Sequence, residues 1–112
     1  MELKPRFSII ILEEAQNFIN SQDEKVRYKI QFNINISRYE INNELFKKLN
    51  SNIWEFRTRF NGISYRLFAF WDKNKQSMVI ATHGIIKKTQ KTPSKEIRKA
   101  EEIMKKYYEE NR

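Results

Sequence analysis

The sequence predicts an α+β domain built on an antiparallel β-sheet. Three apolar runs of strand length lie within residues 53–86, and two polar, turn-forming segments separate them. A fourth apolar run, residues 7–12, comes before them, and helix patterns precede and follow the three runs. The chain has 112 residues, which suits one compact domain, so we assign residues 1–112 to a single domain.

Composition excludes several kinds of site. The chain contains no cysteine, which excludes disulfides and thiolate metal sites. One histidine and no spaced acidic cluster leave too few ligands for other metals, so we expect no metal and no cofactor. Two glycines are too few for a phosphate-binding glycine loop. No apolar run is long enough to span a bilayer, so we expect a cytoplasmic protein with no membrane partner.

The positive charge is concentrated in the predicted sheet. The net charge is +8, and residues 53–91 hold 8 Lys or Arg against 2 Asp or Glu, a net charge of +6. The segments before and after each have a net charge of +1. Such a surface suits a polyanion, and nucleic acid is the first candidate. The alternative is a solvated surface that only keeps the protein soluble.

Helix signals follow the first apolar run. Glu13 and Glu14 favour a helix start, because carboxylates are stabilised at the positive end of the helix dipole. Residues 21–24 match the capping-box pattern, which predicts that a second helix starts near Gln22.

Residues 28–36 give conflicting signals. Apolar and polar residues alternate there, which favours a strand, whereas the spacing of Val26, Ile30 and Ile34 fits one face of a helix. The pattern alone leaves both alternatives open. Residues 42–49 are predicted to be a short polar turn of helix or a loop that reaches the sheet.

The three strands form a meander. Residues 54–60 alternate between apolar and charged side chains, Asn61-Gly62 is a strong hairpin signal, and residues 65–71 and 78–86 supply the next two strands.

A basic loop and a helix complete the chain. Residues 87–91 form the loop, Thr92 is predicted as the N-cap and Pro93 as the first helical residue of a helix that runs to about residue 109. Its apolar stripe is predicted to pack on the sheet and consists of Ile97, Ala100, Ile103, Met104 and Tyr107.

Six cations lie in the predicted strands and in the basic loop: Arg57, Arg59, Arg66, Lys87, Lys88 and Lys91. Apart from Arg66, each of them alone is most often a solvated surface residue, but a meander brings neighbouring strands together and so predicts that the cations form one patch. Arg66 interrupts an apolar run and needs either a partner, for which Glu55 is a candidate, or a function. His83 is more often a structural histidine than a catalytic one.

A cationic patch suits RNA cleavage, because RNA carries its own nucleophile, the 2′-hydroxyl. An enzyme must align that hydroxyl, neutralise charge on the phosphoryl oxygens and supply a proton to the leaving 5′-oxygen. The planar fork of arginine suits the second task. Lysine or histidine can transfer the protons.

The segments IWEFR, NGISYRLFAFWD and ATHGIIKKTQKTP, with PRFSIIILEEA near the start, resemble the phage-derived branch of the HigB/RelE toxin superfamily. HGIIKKTQKTP is the most specific of these motifs, and the resemblance covers nearly the whole chain. It implies an antiparallel sheet, formed by the N-terminal strand and the meander, packed on one side by two N-terminal helices and closed by a C-terminal helix. On this basis we predict helix over residues 23–38.

The resemblance also implies a function. The chain would be the toxin of a type II toxin–antitoxin pair, a metal-independent endoribonuclease that cuts mRNA, typically in the ribosomal A site. Its partner would be an antitoxin with a helix-turn-helix domain, encoded beside it. The charged surface suggests that the free toxin is a monomer.

Site roles follow from matching motifs. Arg66, in YR, matches the phosphate-binding arginine of the superfamily, and Arg57, in WEFR, matches the basic position of the preceding strand. Lys87 and Lys88 match the basic residues after the last strand, and His83 stands where some relatives have a histidine. One of these three would transfer protons. Two further cations are assigned to positioning the RNA backbone: Arg59 and Lys91. The catalytic tyrosine of some relatives has only two candidates here: Tyr107 and Tyr108.

Overall fold

The structure is a computed structural model, and it describes residues 3–88 and 91–112. Five strands occur in these residues: β1 (Ser8–Ile11), β2 (Phe46–Lys48), β3 (Ile53–Phe60), β4 (Ile63–Trp71) and β5 (Met78–Lys87). Three helices occur there: α1 (Glu13–Asn20), α2 (Glu24–Tyr39) and α3 (Ser94–Glu110). None of these helices is both long enough and apolar enough to cross a membrane.

The strands form one sheet in the order β1-β5-β4-β3-β2. The α+β class and the meander of β3, β4 and β5 are confirmed. The sheet is mixed, because β1 runs parallel to β5. Residues 42–49, predicted as a turn or loop, contain the short strand β2, which places Phe46 opposite Phe56. This strand was missed because only one of its three residues is buried.

The sheet separates two apolar cores. One lies under α1 and α2 and includes Phe7, Phe56 and Leu67. The other lies under α3 and includes Phe68 and Phe70. Residues 67–70 are buried on both faces of the sheet, as their continuous apolar sequence predicts. We call the two sides the α1/α2 face and the α3 face.

The two N-terminal helices form where predicted, but the capping residue differs. The first turn of α1 holds Glu13 and Glu14. The Asp23 side chain accepts a hydrogen bond of 3.1 Å from the Val26 backbone N–H and so caps α2. The predicted capping box is wrong, because the Ser21 hydroxyl donates back to a carbonyl of α1 instead.

The conflict over residues 28–36 is resolved in favour of helix. Ile30 and Ile34 are buried on the inner side of α2, while Tyr28 and Phe32 are exposed on its outer side. A helix with apolar side chains on two opposite sides produces an alternating sequence, which explains the strand-like pattern.

The turn between β3 and β4 consists of Asn61 and Gly62, with φ of 50° and 77°. Positive φ at both residues is the requirement of a tight type I′ hairpin, so this prediction is confirmed. It sets the register of β3 against β4, with Phe60 opposite Ile63.

The register of β4 against β5 shifts at one point. Leu67 pairs with Gly84 but Ala69 pairs with Ala81, so two residues of β5 oppose the single residue Phe68. This is a β-bulge, and it reverses which side of the sheet the later residues of β5 face.

The C-terminal helix is anchored at the far end of β4. The Tyr107 hydroxyl donates a 2.7 Å hydrogen bond to the buried carboxylate of Asp72. Burial, with this hydrogen bond, raises the pKa of Tyr107 to about 12 from an ordinary value of 10.0.

We expect Tyr107→Phe to lower the free energy of unfolding by about 1–3 kcal/mol, because it leaves a buried carboxylate oxygen unsatisfied. Between pH 10 and about 12 the unfolded chain loses the tyrosine proton before the folded protein does, so stability falls as pH rises through this window. Urea unfolding from pH 8 to 12 measures both effects. Tyr39→Phe, on an exposed ring, is the control. An alkaline loss of stability unchanged in Tyr107→Phe would contradict this account.

Candidate nucleic-acid interface

Two arginines lie directly opposite each other on neighbouring strands. The register of β3 and β4 pairs Arg57 with Arg66, so both side chains project from the same face of the sheet. This is the α3 face, since Arg66 pairs with Ile85, whose side chain packs in the core under α3. The arginines lie beyond the part of this face that holds Phe68 and Phe70, toward the hairpin.

A single carboxylate lies between the two guanidinium groups. Glu55 is 2% exposed, and its oxygens are 3.6 Å from Nε of Arg66 and 3.7 Å from Nε of Arg57. These ion-pair distances exceed those of a hydrogen bond. Both Nε groups are buried, and neither has an acceptor among the described residues. The ion pair between Arg66 and Glu55 therefore exists, but it leaves one excess positive charge and unsatisfied donors.

Arg57 and Arg66 open onto a cleft of about 450 Å³ at the outer edge of β3, which we call the arginine cleft. Strand residues that line it include Arg57, Arg59, Ser64 and Arg66. Burial lowers the pKa of Arg66, and Arg57 and Arg59 lower it further, whereas Glu55 opposes the shift. A concave surface with this excess of guanidinium groups can bind a phosphate.

Lys87 adjoins this cluster. It pairs with Ser64 in the sheet, and the bulge in β5 places it on the α3 face with Arg66. Burial lowers the pKa of Lys87 from its ordinary 10.5, and the charge of Arg66 lowers it further. Lys87 therefore loses its proton, and becomes a neutral amine, at a lower pH than a solvated lysine does.

The other two predicted lysines are at the surface. Lys88 follows β5 and is exposed. Lys91 is also exposed and precedes α3. The centre of the predicted basic loop, residues 89–90, lies outside the described residues.

His83 is not brought to the cleft surface. It is 1% exposed, and its ring stacks on Phe68 with centroids 4.8 Å apart. Nδ1 is 3.0 Å from the Thr82 hydroxyl and Nε2 is 3.2 Å from a carboxylate oxygen of Glu96 in the first turn of α3. Burial lowers the pKa of His83, and the charge of Lys99 lowers it further, although Glu96 opposes this. The geometry suits a neutral ring that joins β5 to α3.

The start of α3 differs by one residue from prediction. Pro93 is the N-cap and Ser94 is the first helical residue. The Thr92 hydroxyl, predicted to cap the helix, instead donates to Glu55 at 3.1 Å. Thr92 therefore links the segment before α3 to the carboxylate that separates the two arginines.

The helix α2 supplies one side of the cleft, which the sequence did not indicate. Lys29 and Asn33 line it, one helical turn apart. Asn33 is buried and donates to the Thr58 hydroxyl at 3.2 Å. Their spacing was visible in the sequence, but their orientation depended on whether this segment is helix or strand.

Neither C-terminal tyrosine reaches the arginines. Tyr107 bonds to Asp72, and Asp72 follows β4 six residues after Arg66, a separation of roughly 20 Å along an extended chain. The Tyr108 hydroxyl donates to the carbonyl of Trp71, at the same end of the strand. In residues 3–88 and 91–112, no three His, Asp or Glu side chains converge as a metal site would require.

Most of the chain matches the model of a known family. Residues 17–105 match the family model described as phage derived protein Gp49-like, a RelE-like, toxin-like family. Among individually curated proteins, none matches this chain significantly. The matched segment begins within α1, includes every residue that lines the arginine cleft and extends into α3. Because it covers well over half of the sequence, the chain belongs to the phage-derived Gp49-like family, which is related to RelE-type toxins.

Proposed function

We propose that this protein is the toxin of a type II toxin–antitoxin pair, a HigB-like endoribonuclease that cuts mRNA in the ribosomal A site. The observation that carries the proposal is the opposed pair of arginines whose buried Nε donors have no acceptor within the described residues. Membership in a toxin-like family supports the same reading. A neighbouring helix-turn-helix antitoxin would silence this cytoplasmic, monomeric toxin.

In this mechanism the RNA supplies the nucleophile. The 2′-oxygen attacks the adjacent phosphorus, the bond to the 5′-oxygen breaks, and a 2′,3′-cyclic phosphate forms. Arg57 and Arg66 bind the non-bridging oxygens and stabilise the charge that grows on them in the transition state. Arg59 and Lys91 hold the flanking backbone. No step requires a metal, because arginine provides the positive charge.

Lys87 is our candidate for the general base. Its lowered pKa favours the neutral amine, which can accept the proton of the 2′-hydroxyl. Lys88, exposed at the end of β5, is our candidate donor for the leaving 5′-oxygen. We assign His83 a supporting role, because a ring that is 1% exposed and hydrogen-bonded to Glu96 does not face the cleft.

The direct test is a cell-free translation reaction with purified protein, read by primer extension on a defined mRNA with and without ribosomes. Cuts only on translated mRNA are the expected result. Cuts on naked RNA would support nuclease activity that does not require the ribosome. No cuts in either reaction, from folded protein free of antitoxin, would overturn the proposal in favour of an RNA-binding or ribosome-binding module.

Arg66→Lys tests the phosphate site without removing the charge beside Glu55. Alanine is a poorer choice, because Arg66 is 7% exposed and its loss would leave Glu55 buried with one partner fewer. We expect the lysine variant to fold and to lose cleavage by about 10²-fold, since it lacks the planar fork. Arg98→Lys, at an exposed position of α3, is the control. Wild-type cleavage by folded Arg66→Lys would exclude the assignment.

Lys87→Arg tests the proton-transfer role. Wild-type cleavage should rise with pH through a pKa lower than 10.5, because the neutral amine of Lys87 is the active form of the base. The arginine variant keeps the charge but cannot lose its proton, so this limb should disappear. Rate–pH profiles of both proteins, with Lys88→Arg alongside, provide the measurement. Identical rate–pH profiles for wild type and Lys87→Arg would show that Lys87 is not the general base.

His83→Gln tests whether His83 stabilises the fold or takes part in catalysis. We expect cleavage within about tenfold of wild type, less than the ~10²–10⁴-fold effect of removing an acid–base group. The folded ring resists protonation, so wild-type stability should fall as pH drops below the ordinary pKa of 6.5, where the unfolded chain takes up a proton first. Denaturation between pH 4 and 7 should show this loss reduced in the variant. A larger loss of cleavage in the folded variant would restore His83 to catalysis.

A further inference from the structure

The outer side of α2 carries a pair of exposed aromatic rings. Tyr28 is 68% and Phe32 is 48% exposed. Their ring centroids are 6.1 Å apart with planes inclined by only 18°, so the two rings are stacked. The core contacts of α2 come from its opposite side, through residues such as Ile30 and Ile34. The exposed pair therefore adds little to the core and leaves aromatic surface open to a ligand.

Cations flank the Tyr28 ring of this pair. A second cleft, of about 510 Å³, is lined by Tyr28 and by Phe60 from the end of β3, together with Lys25 and Lys29. Glu24 is the acidic residue in the same lining. Aromatic faces beside an excess of positive charge suit single-stranded nucleic acid, whose bases stack and whose phosphates are anionic.

The second cleft adjoins the arginine cleft. Lys29 lines both of them. The pairing of β2 with β3 covers residues 54–56. The helix α2 reaches the part of β3 that follows, where Asn33 donates a hydrogen bond to the Thr58 hydroxyl. A strand bound at Arg57 and Arg59 can pass this edge of the sheet beside Lys29 and reach Tyr28. The two clefts thus meet at Lys29, and their combined linings carry five Lys or Arg residues against two glutamates, Glu24 and Glu44.

We propose that Tyr28 and Phe32 form a stacking platform for RNA bases beyond the scissile phosphate, with Lys25 and Lys29 binding the adjoining backbone. This inference rests on the proposed function, since the arginine cleft defines where the strand starts. Stacking accepts any base, so the platform adds affinity without base preference. The shared Lys29 and the net charge of +8 favour RNA over a protein partner.

The test measures binding separately from cleavage. A fluorescent RNA of about eight nucleotides, methylated at every 2′-oxygen, lacks the nucleophile and stays intact. Fluorescence anisotropy with this probe and with a methylated dinucleotide would compare wild type, Tyr28→Ala and Phe32→Ala. Tyr39→Ala is the matched control, an exposed aromatic on the same helix that does not belong to the stacked pair of Tyr28 and Phe32.

Each platform variant should bind the longer RNA about tenfold more weakly than wild type, and bind the dinucleotide unchanged. The control should bind both probes as wild type does. The platform is overturned if wild type binds the two probes equally well. It is also overturned if both variants keep full affinity for the longer RNA, which is the result expected if the rings bind a protein instead. Cleavage of translated mRNA is measured independently, so a toxin without this platform and a platform without nuclease activity give different results.

Discussion

The arrangement of Arg57, Glu55 and Arg66 is the constraint on which the proposed RNA-binding end of this molecule depends. The hairpin register forces two guanidinium groups into direct opposition, and like charges at such positions destabilise a sheet. Glu55 lies on the same face and offsets part of that repulsion. The balance is incomplete, because one carboxylate at ion-pair distance satisfies neither Nε donor. A phosphate can complete it, so the feature that weakens the free protein is the one that favours an anionic ligand.

The α3 face has two halves, one that packs against α3 and one that carries the arginines. Toward the far end of β4, Phe70 and the pair Asp72 and Tyr107 hold α3 against the sheet. Toward the hairpin, the same face carries the arginines. Side-chain contacts from Thr92 to Glu55 and from His83 to Glu96 join the halves. The position of the helix start and the position of the carboxylate between the arginines are therefore coupled.

The sequence predicted most of the fold, because most of its elements carry strong local signals. Asn61-Gly62 determined one hairpin, and the alternating residues of β3 determined which side chains share a face. Short elements and caps were harder, since three residues of β2 contain too little pattern and Asp23 competes with Ser21 as a cap. The ion pair of Arg66 with Glu55 was predictable from an arginine within an apolar run. The place of Lys29 in the cleft was not predictable, because it depends on how α2 packs against the sheet.

The bulge in β5 shows why side-chain placement in the site could not follow from alternation alone. Counting by two from Ile80, which packs under α3, would put Ile86 and Lys88 on the α3 face and Lys87 on the other. The extra residue opposite Phe68 reverses this order, so that Ile85 joins the core under α3 and Lys87 lies beside the arginines. The same irregularity places the His83 ring over Phe68. One inserted residue thus places Lys87, whose pKa is lowered by burial and by the charge of Arg66, beside the arginines, and no local sequence signal marks where it occurs.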